Sequence, residues 1–548
     1  MTVFIGANNT GKSLALRELT AYCEEGRREG QQVIDAVEVT LPEVAEARDL
    51  FRSLEVPLLR NQTLEEGQLR VARLVPVDGQ SRTDDVNWAA MEQHLPQWKT
   101  RQDAGTLDWR TDIPNWLYRW YVSRLTLSLD GARRLSLVDE QERGDLVGLP
   151  ANHLAALFKN DAARSALREL VHDAFGLYFV IDPTHGSKLR VRLSETPPED
   201  SMTEQALDAR ARGFHAKAAQ IDSFSDGVKA FCGVAAAMVS SEYRIILVDE
   251  PDAFLHPTLG RRLGKEMVRL AAERSGNVFT STHSSAFLMG CMESGKPVCV
   301  VRLTYDRPNA TARLLPVDGI RRLMRDPLLR STKVLEALFC RAAVVTESDA
   351  DRALYEEVNN RLELSSGIYV RDSVFLNAQN KQTVRTIVEV LRPLGIPAAA
   401  IVDFDILKGS DLSDLMRVCH VPFGIAQGVN QMKATLLQAL ASSGEGWEQR
   451  GASTLSGPAR ETCDGMLSLL REYGIFIVPV GELENWLTSI GAVPSNNKPR
   501  WLAHTFGLLG DDPDAESYVM PAAGDVWEFL RAIARWVSAD DHKGMPTA

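Results

Sequence analysis

No stretch of this 548-residue sequence approaches the roughly 18–20 consecutive apolar residues that a bilayer-spanning helix needs, so no membrane span is expected. Its start, MTVFIGANNTGKS, has neither a basic leader nor a small-residue cleavage site, which places the chain in the cytoplasm as an expectation. Cysteine is sparse and scattered: seven residues, none in a C-x-x-C pair. That pattern excludes a disulfide framework and a zinc module, and it reads as reduced thiols buried as small hydrophobes. A sustained heptad repeat is missing too, so long coiled-coil arms are not expected. So is an excess of basic charge, since 61 Lys and Arg face 73 Asp and Glu for a net charge of −12. Any nucleic-acid path must therefore be local. What remains is an ordinary globular composition, 45% hydrophobic and 24% charged, at a length that calls for two or more domains.

The most specific motif comes first in the chain. Gly6-Ala7-Asn8-Asn9-Thr10-Gly11-Lys12-Ser13 matches G-x-x-x-x-G-K-[ST] in full, between the apolar run Val3-Phe4-Ile5 and a helix-compatible stretch from Lys12 to Glu25. Glycines in such a loop let backbone N–H groups turn toward phosphate oxygens at a helix N-terminus. Gly6, Asn8, Asn9, Thr10 and Gly11 form the cradle, Lys12 is expected on the β- and γ-phosphates, and Ser13 on Mg²⁺. Far downstream, the buried-strand pattern Ile245–Val248 ends in Asp249-Glu250. Asp249 suits the nucleotide's magnesium, and Glu250 suits orientation or deprotonation of the attacking water. ATP with Mg²⁺ is the implied cofactor.

Between these motifs, the Trp-, Gln- and Arg-rich stretch from about Pro76 to Thr126 reads as irregular or helical, and Leu154–Phe175 has apolar residues at helical spacing. A helical insertion is expected over about 80–215, with a loop at Ser194–Ser201. A short strand is expected at Asn277–Thr280, and a helical connector at Asp318–Phe339. Beyond it a second rhythm begins: strand Ala342–Thr346, helix Ala350–Leu362, strand Val370–Leu376, helix Gln382–Leu391, strand Ala399–Val402 and a late strand Ile475–Val480. The expected fold is therefore α/β, with domains over 1–335 and 336–548.

Asp249-Glu250-Pro251, His256-Pro257 and Ser281-Thr282-His283-Ser284 resemble the Walker B, D-loop and switch-histidine series of ABC-type ATPases, and Ser223-Phe224-Ser225-Asp226-Gly227 resembles their signature loop. That resemblance implies that His283 senses the γ-phosphate, that Ser225 and Gly227 complete a neighbour's nucleotide site, and that two heads associate around ATP. It departs from the family at two points. Only five residues precede Gly6, where relatives have further strands, and no Q-loop glutamine is found.

The second half carries a different chemistry. Glu347 follows one expected strand, with Asp351 four residues on, and Asp403-Phe404-Asp405 follows another. Adjacent parallel strands present their C-terminal tips on one sheet edge, so these acids are expected to converge on Mg²⁺ or Mn²⁺. Two ions there would activate water and stabilise the leaving oxygen of a phosphodiester. Glu at one tip and Asp-x-Asp at another resembles the Toprim pattern. An ATPase ahead of Toprim is the order of the OLD (overcoming lysogenization defect) endonucleases, and it is similar to the nuclease subunit of Gabija-type phage-defence systems. This resemblance implies a further ligand at Glu482, with Glu484 second, and a basic residue at Lys498 that steadies the phosphate; Lys381 is a second candidate for a phosphate contact. Here the family more often has Gly after the glutamate, where this chain has Ser348.

The leading expectation is an ATP-regulated, metal-dependent DNA endonuclease in defence against foreign DNA, self-associating through its heads, with room for an accessory defence protein. A topoisomerase or primase is disfavoured, because Tyr355, Tyr369 and Tyr473 have no special context and no zinc spacing occurs. A clamp ATPase that does not cut, and a Toprim effector that cuts RNA, remain as alternatives.

Overall fold

Short apolar runs bounded by polar residues become parallel strands in both halves of the chain. The computed structural model describes all residues except 59–61, 78–82, 132–133, 241–242, 274–275, 307–308, 328, 330–332, 366, 443–445, 496, 540 and 547–548. The chain divides into two units, Met1–Leu314 and Leu315–Ala548.

In the first, six strands lie in the order Asn309–Leu315, Cys299–Asp306, Thr2–Ile5, Asn277–Ser281, Ile245–Asp249, Thr126–Leu129. The strand leading into the glycine loop is parallel to both neighbours, and Ser281 stands opposite both Phe4 and Asp249. This register gathers the loop, Asp249 and the segment after Ser281 at one sheet edge, where open α/β sheets bind ligands. The helix Lys12–Glu25 begins and ends where the sequence pattern put it, closed by Gly26, whose N–H donates to the Tyr22 carbonyl at 2.8 Å. Its Tyr22 and Cys23 enter a core with Phe51, Met91, Leu95 and Trp98, so the tryptophan-rich stretch packs on this helix.

The 80–215 region differs from its helical expectation. Helices Trp88–Asp103, His153–Lys159 and Asp161–Phe175 are present, yet Thr126–Leu129 is a strand of the main sheet. Tyr178–His185 and Lys188–Ser194 form an antiparallel hairpin. Buried Leu189, Val191 and Leu193 alternate with Arg190 and Arg192, both of which donate to the buried Asp182 carboxylate. That period of two is the strand signal. The connector at Asp318–Phe339 contains a helix, Val317–Arg325, and a 3₁₀ turn, Val334–Phe339; its residues 328 and 330–332 lie outside those described.

The second unit has four parallel strands ordered Ser373–Asn377, Ala342–Thr346, Ala398–Val402, Ile475–Ile477. Every residue of the two central strands is buried, as their unbroken apolar runs require. Val344, Tyr355, Ile401 and Phe476 share one core with Trp486, Trp501 and Phe529; each such side chain stabilises the fold by about 1.5–3 kcal/mol. Two expected strands are shorter than their apolar runs. Val370 is outside the ladder because the Asn359 amide takes both its N–H and its carbonyl, at 2.8 and 3.1 Å. The last strand stops at Ile477, ahead of Pro479, whose carbonyl instead accepts from the Ala452 N–H at 2.8 Å.

All seven cysteines are free thiols, and Cys23, Cys232, Cys291, Cys419 and Cys463 are buried. Among the described residues no helix is long and apolar enough to cross a membrane.

Candidate functional site

At the first sheet edge, Gly6 has φ +147°, and a Cβ there would stand 2.2 Å from the Leu303 carbonyl oxygen, so only glycine fits. Gly11 caps the helix in the left-handed region, while Asn8 and Asn9 are exposed at the loop tip and Thr10 Oγ1 donates to the Ala7 carbonyl at 2.9 Å. Lys12 is buried and its ammonium donates to the carbonyls of Gly6 and Ala7 at 2.9 and 2.8 Å. Burial lowers its pKa, against the raising fields of Glu250 and Asp249.

Ser13 Oγ donates to Asp249 Oδ1 at 3.1 Å, joining two residues that the motifs assigned to one ion. Ser281, to which the sequence reading gave no role, bridges the next pair: its hydroxyl donates to Asp249 and accepts from the Glu250 N–H. Glu250 has φ +46°, a strained value for a non-glycine residue of the kind that collects at functional sites. Its carboxylate lies 3.3 Å from His283 Nδ1. Ser13, Asp249, Ser281, Glu250 and His283 therefore form one hydrogen-bonded chain, with Lys12 in the field of its two acids. Ser225 and Gly227 flank the first residue of the helix Asp226–Ser240, and among the described residues neither is hydrogen-bonded to the glycine loop.

Arg134 was also missed by the sequence reading. It is buried, with Nη1 lacking a partner, and burial lowers its pKa against the fields of Glu250, Asp249, Asp252 and Asp130. Its guanidinium lies 5.9 Å from the ring centroid of Phe254, an exposed aromatic just past Glu250. The available signal was the polar Asp130-Gly131 end of the run Leu125–Leu129, which marks a strand tip beside Asp249.

In the second unit the acids of separate strands meet. Glu347 Oε1 accepts from the Asp403 N–H at 3.0 Å. Lys498 Nζ is 3.6 Å from Asp403 and 3.9 Å from Asp351; Lys381 Nζ is 3.1 Å from Asp405. Ser348 caps the helix Asp349–Leu364 and Asp351 completes a capping box, so the serine after Glu347 fixes the start of that helix. Burial, then the like charges of Asp405 and Asp351, raise the Glu347 pKa to about 7. Burial also raises Asp403 well above the carboxylate range, against Lys498. Lys498 is pushed up in turn: burial opposes its charge, but the fields of Asp403, Asp351, Glu484 and Glu482 outweigh it.

Among the described residues no group of three or more His, Cys, Asp or Glu side chains is already arranged around an ion position. The donor chemistry nevertheless fits a hard divalent cation. Asp351 Oδ1, Asp405 Oδ1 and Glu484 Oε2 are buried carboxylate oxygens without a hydrogen-bond partner. Of the two later glutamates, Glu484 is the buried one and Glu482 is half-buried, and both act on Lys498.

Two family models match the sequence: "AAA domain, putative AbiEii toxin, Type IV TA system" over residues 112–289, and "Overcoming lysogenization defect protein-like, TOPRIM domain" over residues 338–405. No curated protein matches. Solved structures that resemble the chain include an Smc head bound to the C-terminal winged-helix domain of ScpA, at 12% identity and TM-score 0.31, covering 59% of this chain and 91% of that one. Another is the SMC head domain from Thermotoga maritima, at 11% identity and TM-score 0.25, covering 57% and 90%. These structural likenesses are too loose to add to the family models. An ATPase-domain match followed by an OLD-like Toprim-domain match supports an ATPase–Toprim protein of the OLD type.

Proposed function

We propose that this protein is an ATP-regulated nuclease that cuts phosphodiester bonds in DNA with divalent metal ions, acting in the cytoplasm against phage or other foreign DNA. The observation that carries this reading is the meeting of Glu347, Asp351, Asp403 and Asp405 around Lys498 and Lys381. Glu347, Asp351, Asp403, Asp405 and Glu482, with Glu484 beside it, would hold Mg²⁺ or Mn²⁺. When bound, such ions supply an activated water and charge stabilisation for the leaving oxygen. Lys498, kept protonated by its acidic neighbours, would hold a non-bridging phosphate oxygen and offset charge at the phosphorus. In the other unit Lys12 and the loop N–H groups would bind the ATP phosphates, Glu250 would orient water, and His283 would report on the γ-phosphate. Ser225 and Gly227, as the resemblance to ABC-type signature loops implies, would complete a second copy's nucleotide site when two heads pair.

Plasmid DNA incubated with Mg²⁺ or Mn²⁺, with and without ATP, tests this. Nicking or linearisation that disappears in Glu347→Ala and Asp403→Ala supports it. Intact DNA under all conditions refutes cleavage and leaves a clamp, and cleavage of RNA alone would redirect the substrate.

A further inference from the structure

Tyr355 has no special context in the sequence, yet it is fully buried in the second unit beside the acids. It follows Asp351 by four residues on the helix Asp349–Leu364, which puts the two on one face, and both are buried. Its phenol oxygen accepts a hydrogen bond from the Trp486 indole N–H at 3.1 Å. Trp486 stands two residues past Glu484, where the short turn Leu483–Asn485 ends. The bond therefore joins the helix that carries Asp351 to the turn that carries Glu484. Each of these acids has a buried oxygen without a hydrogen-bond partner, Asp351 Oδ1 and Glu484 Oε2. The other Asp351 oxygen is taken by the Ser348 N–H at 2.9 Å. Burial, then the charge of Asp351, push the phenol's pKa well up, with Asp403 and Glu347 adding to it, so the hydroxyl keeps its proton within the field of the cluster. Phe529 packs on both rings, with centroids 5.9 Å from Tyr355 and 5.4 Å from Trp486.

We propose that Tyr355 is a positioning residue of the metal centre, its bond with Trp486 holding the turn of Glu484 to the helix of Asp351 so that both acids address bound metal. The inference rests on the metal-dependent reading above and adds the group that sets the ligand geometry. Ligands of a metal are oriented by the groups behind them, and loss of such a partner weakens binding by about 10–100-fold. A bond between two rings already locked by packing suits this task, because the site then keeps its shape before the ion arrives. Tyr355 itself touches no substrate in this scheme and acts only through the acids.

Mn²⁺ is titrated into the full-length chain without nucleotide and followed by paramagnetic resonance, with Glu347→Ala marking the component that belongs to the Toprim unit. Tyr355→Phe removes only the hydroxyl and should weaken that component about tenfold or more. Trp486→Phe should weaken it comparably, and the double variant should be no worse than the more severe single one, since all three break the same bond. Phe529→Leu loosens the same packing and leaves both polar atoms in place. Whatever it does to the melting temperature, it should keep Mn²⁺ affinity within about twofold of the parent. Parent-like binding in Tyr355→Phe, an equal loss in Phe529→Leu, or additive losses in the double variant overturns the proposal. A parent without Glu347-dependent binding removes the metal reading and this inference with it, whereas parent binding that ignores Tyr355→Phe removes this inference alone.

Discussion

The carboxylate of Glu347 accepts a hydrogen bond from the backbone N–H of Asp403 at 3.0 Å, although 56 positions separate the two in sequence. They lie at the ends of adjacent parallel strands, in which Val345 stands opposite Ala400. This contact fixes one acid directly beside the next, and burial of both raises their pKa values, outweighing the lowering effect of the bond on Glu347.

Glu347→Gln and Asp403→Asn keep nearly the same shape but remove charge from the cluster. DNA cleavage in Mn²⁺ should fall by more than about 100-fold, since loss of even an outer partner of a metal ligand has effects approaching this size. ATP hydrolysis should stay within about twofold of the parent, because these residues supply nothing to the nucleotide site. Parallel nicking and phosphate-release assays check both halves.

Lys12→Ala removes the ammonium that bonds the Gly6 and Ala7 carbonyls. ATP hydrolysis should fall to background while Mn²⁺ binding to the Toprim unit, followed by paramagnetic resonance, is unchanged. Normal hydrolysis in this variant would dismiss the loop as the nucleotide site.

Glu347 titrates near 7 in the folded chain against an ordinary value of 4.5, because burial and neighbouring acids disfavour its anion. Between these values the folded state holds more protons than the unfolded one, so stability falls as pH rises. This contribution is full below pH 4.5 and lost as pH passes 7. Compared with Glu347→Gln, metal-free wild-type protein should lose on the order of 3 kcal/mol across that window, read from denaturant unfolding. Divalent ions need the anion, so their binding should tighten over the same range.

Gly481→Ala forces a side chain into a left-handed position and against the Gln449 carbonyl. A cost of about 1–3 kcal/mol, more if the backbone cannot shift, is expected as a lowered melting temperature. Cleavage should fall further than stability alone explains, because Glu482 and Glu484 move with the turn.

Much of this architecture was legible because local physics wrote it. A glycine loop between an apolar run and a helix has one economical conformation, and the helix after it runs from Lys12 to Glu25 as its pattern requires. The apolar runs in Ala342–Thr346 and Ala399–Val402, alternating with helical patterns, read as buried parallel strands. The structure has strands at Ala342–Thr346 and Ala398–Val402, with Glu347 and Asp403 just past their ends. Thr126–Leu129 was obscured because it is four residues long and half polar. Val370 left its strand for a reason invisible locally, the Asn359 amide across the helix–strand packing.

Local pattern was enough to say which residues could do chemistry and which strands would carry them, because periodicity and glycine placement act over a few residues. How those residues are tuned was settled by the folded chain. Ser281 bridges Asp249 and Glu250, Arg134 is buried among the same acids, and Lys498 stands between Asp351 and Asp403. Each depends on distances between segments far apart in the chain, and charge interactions in a buried site are governed by those distances and by exclusion of water.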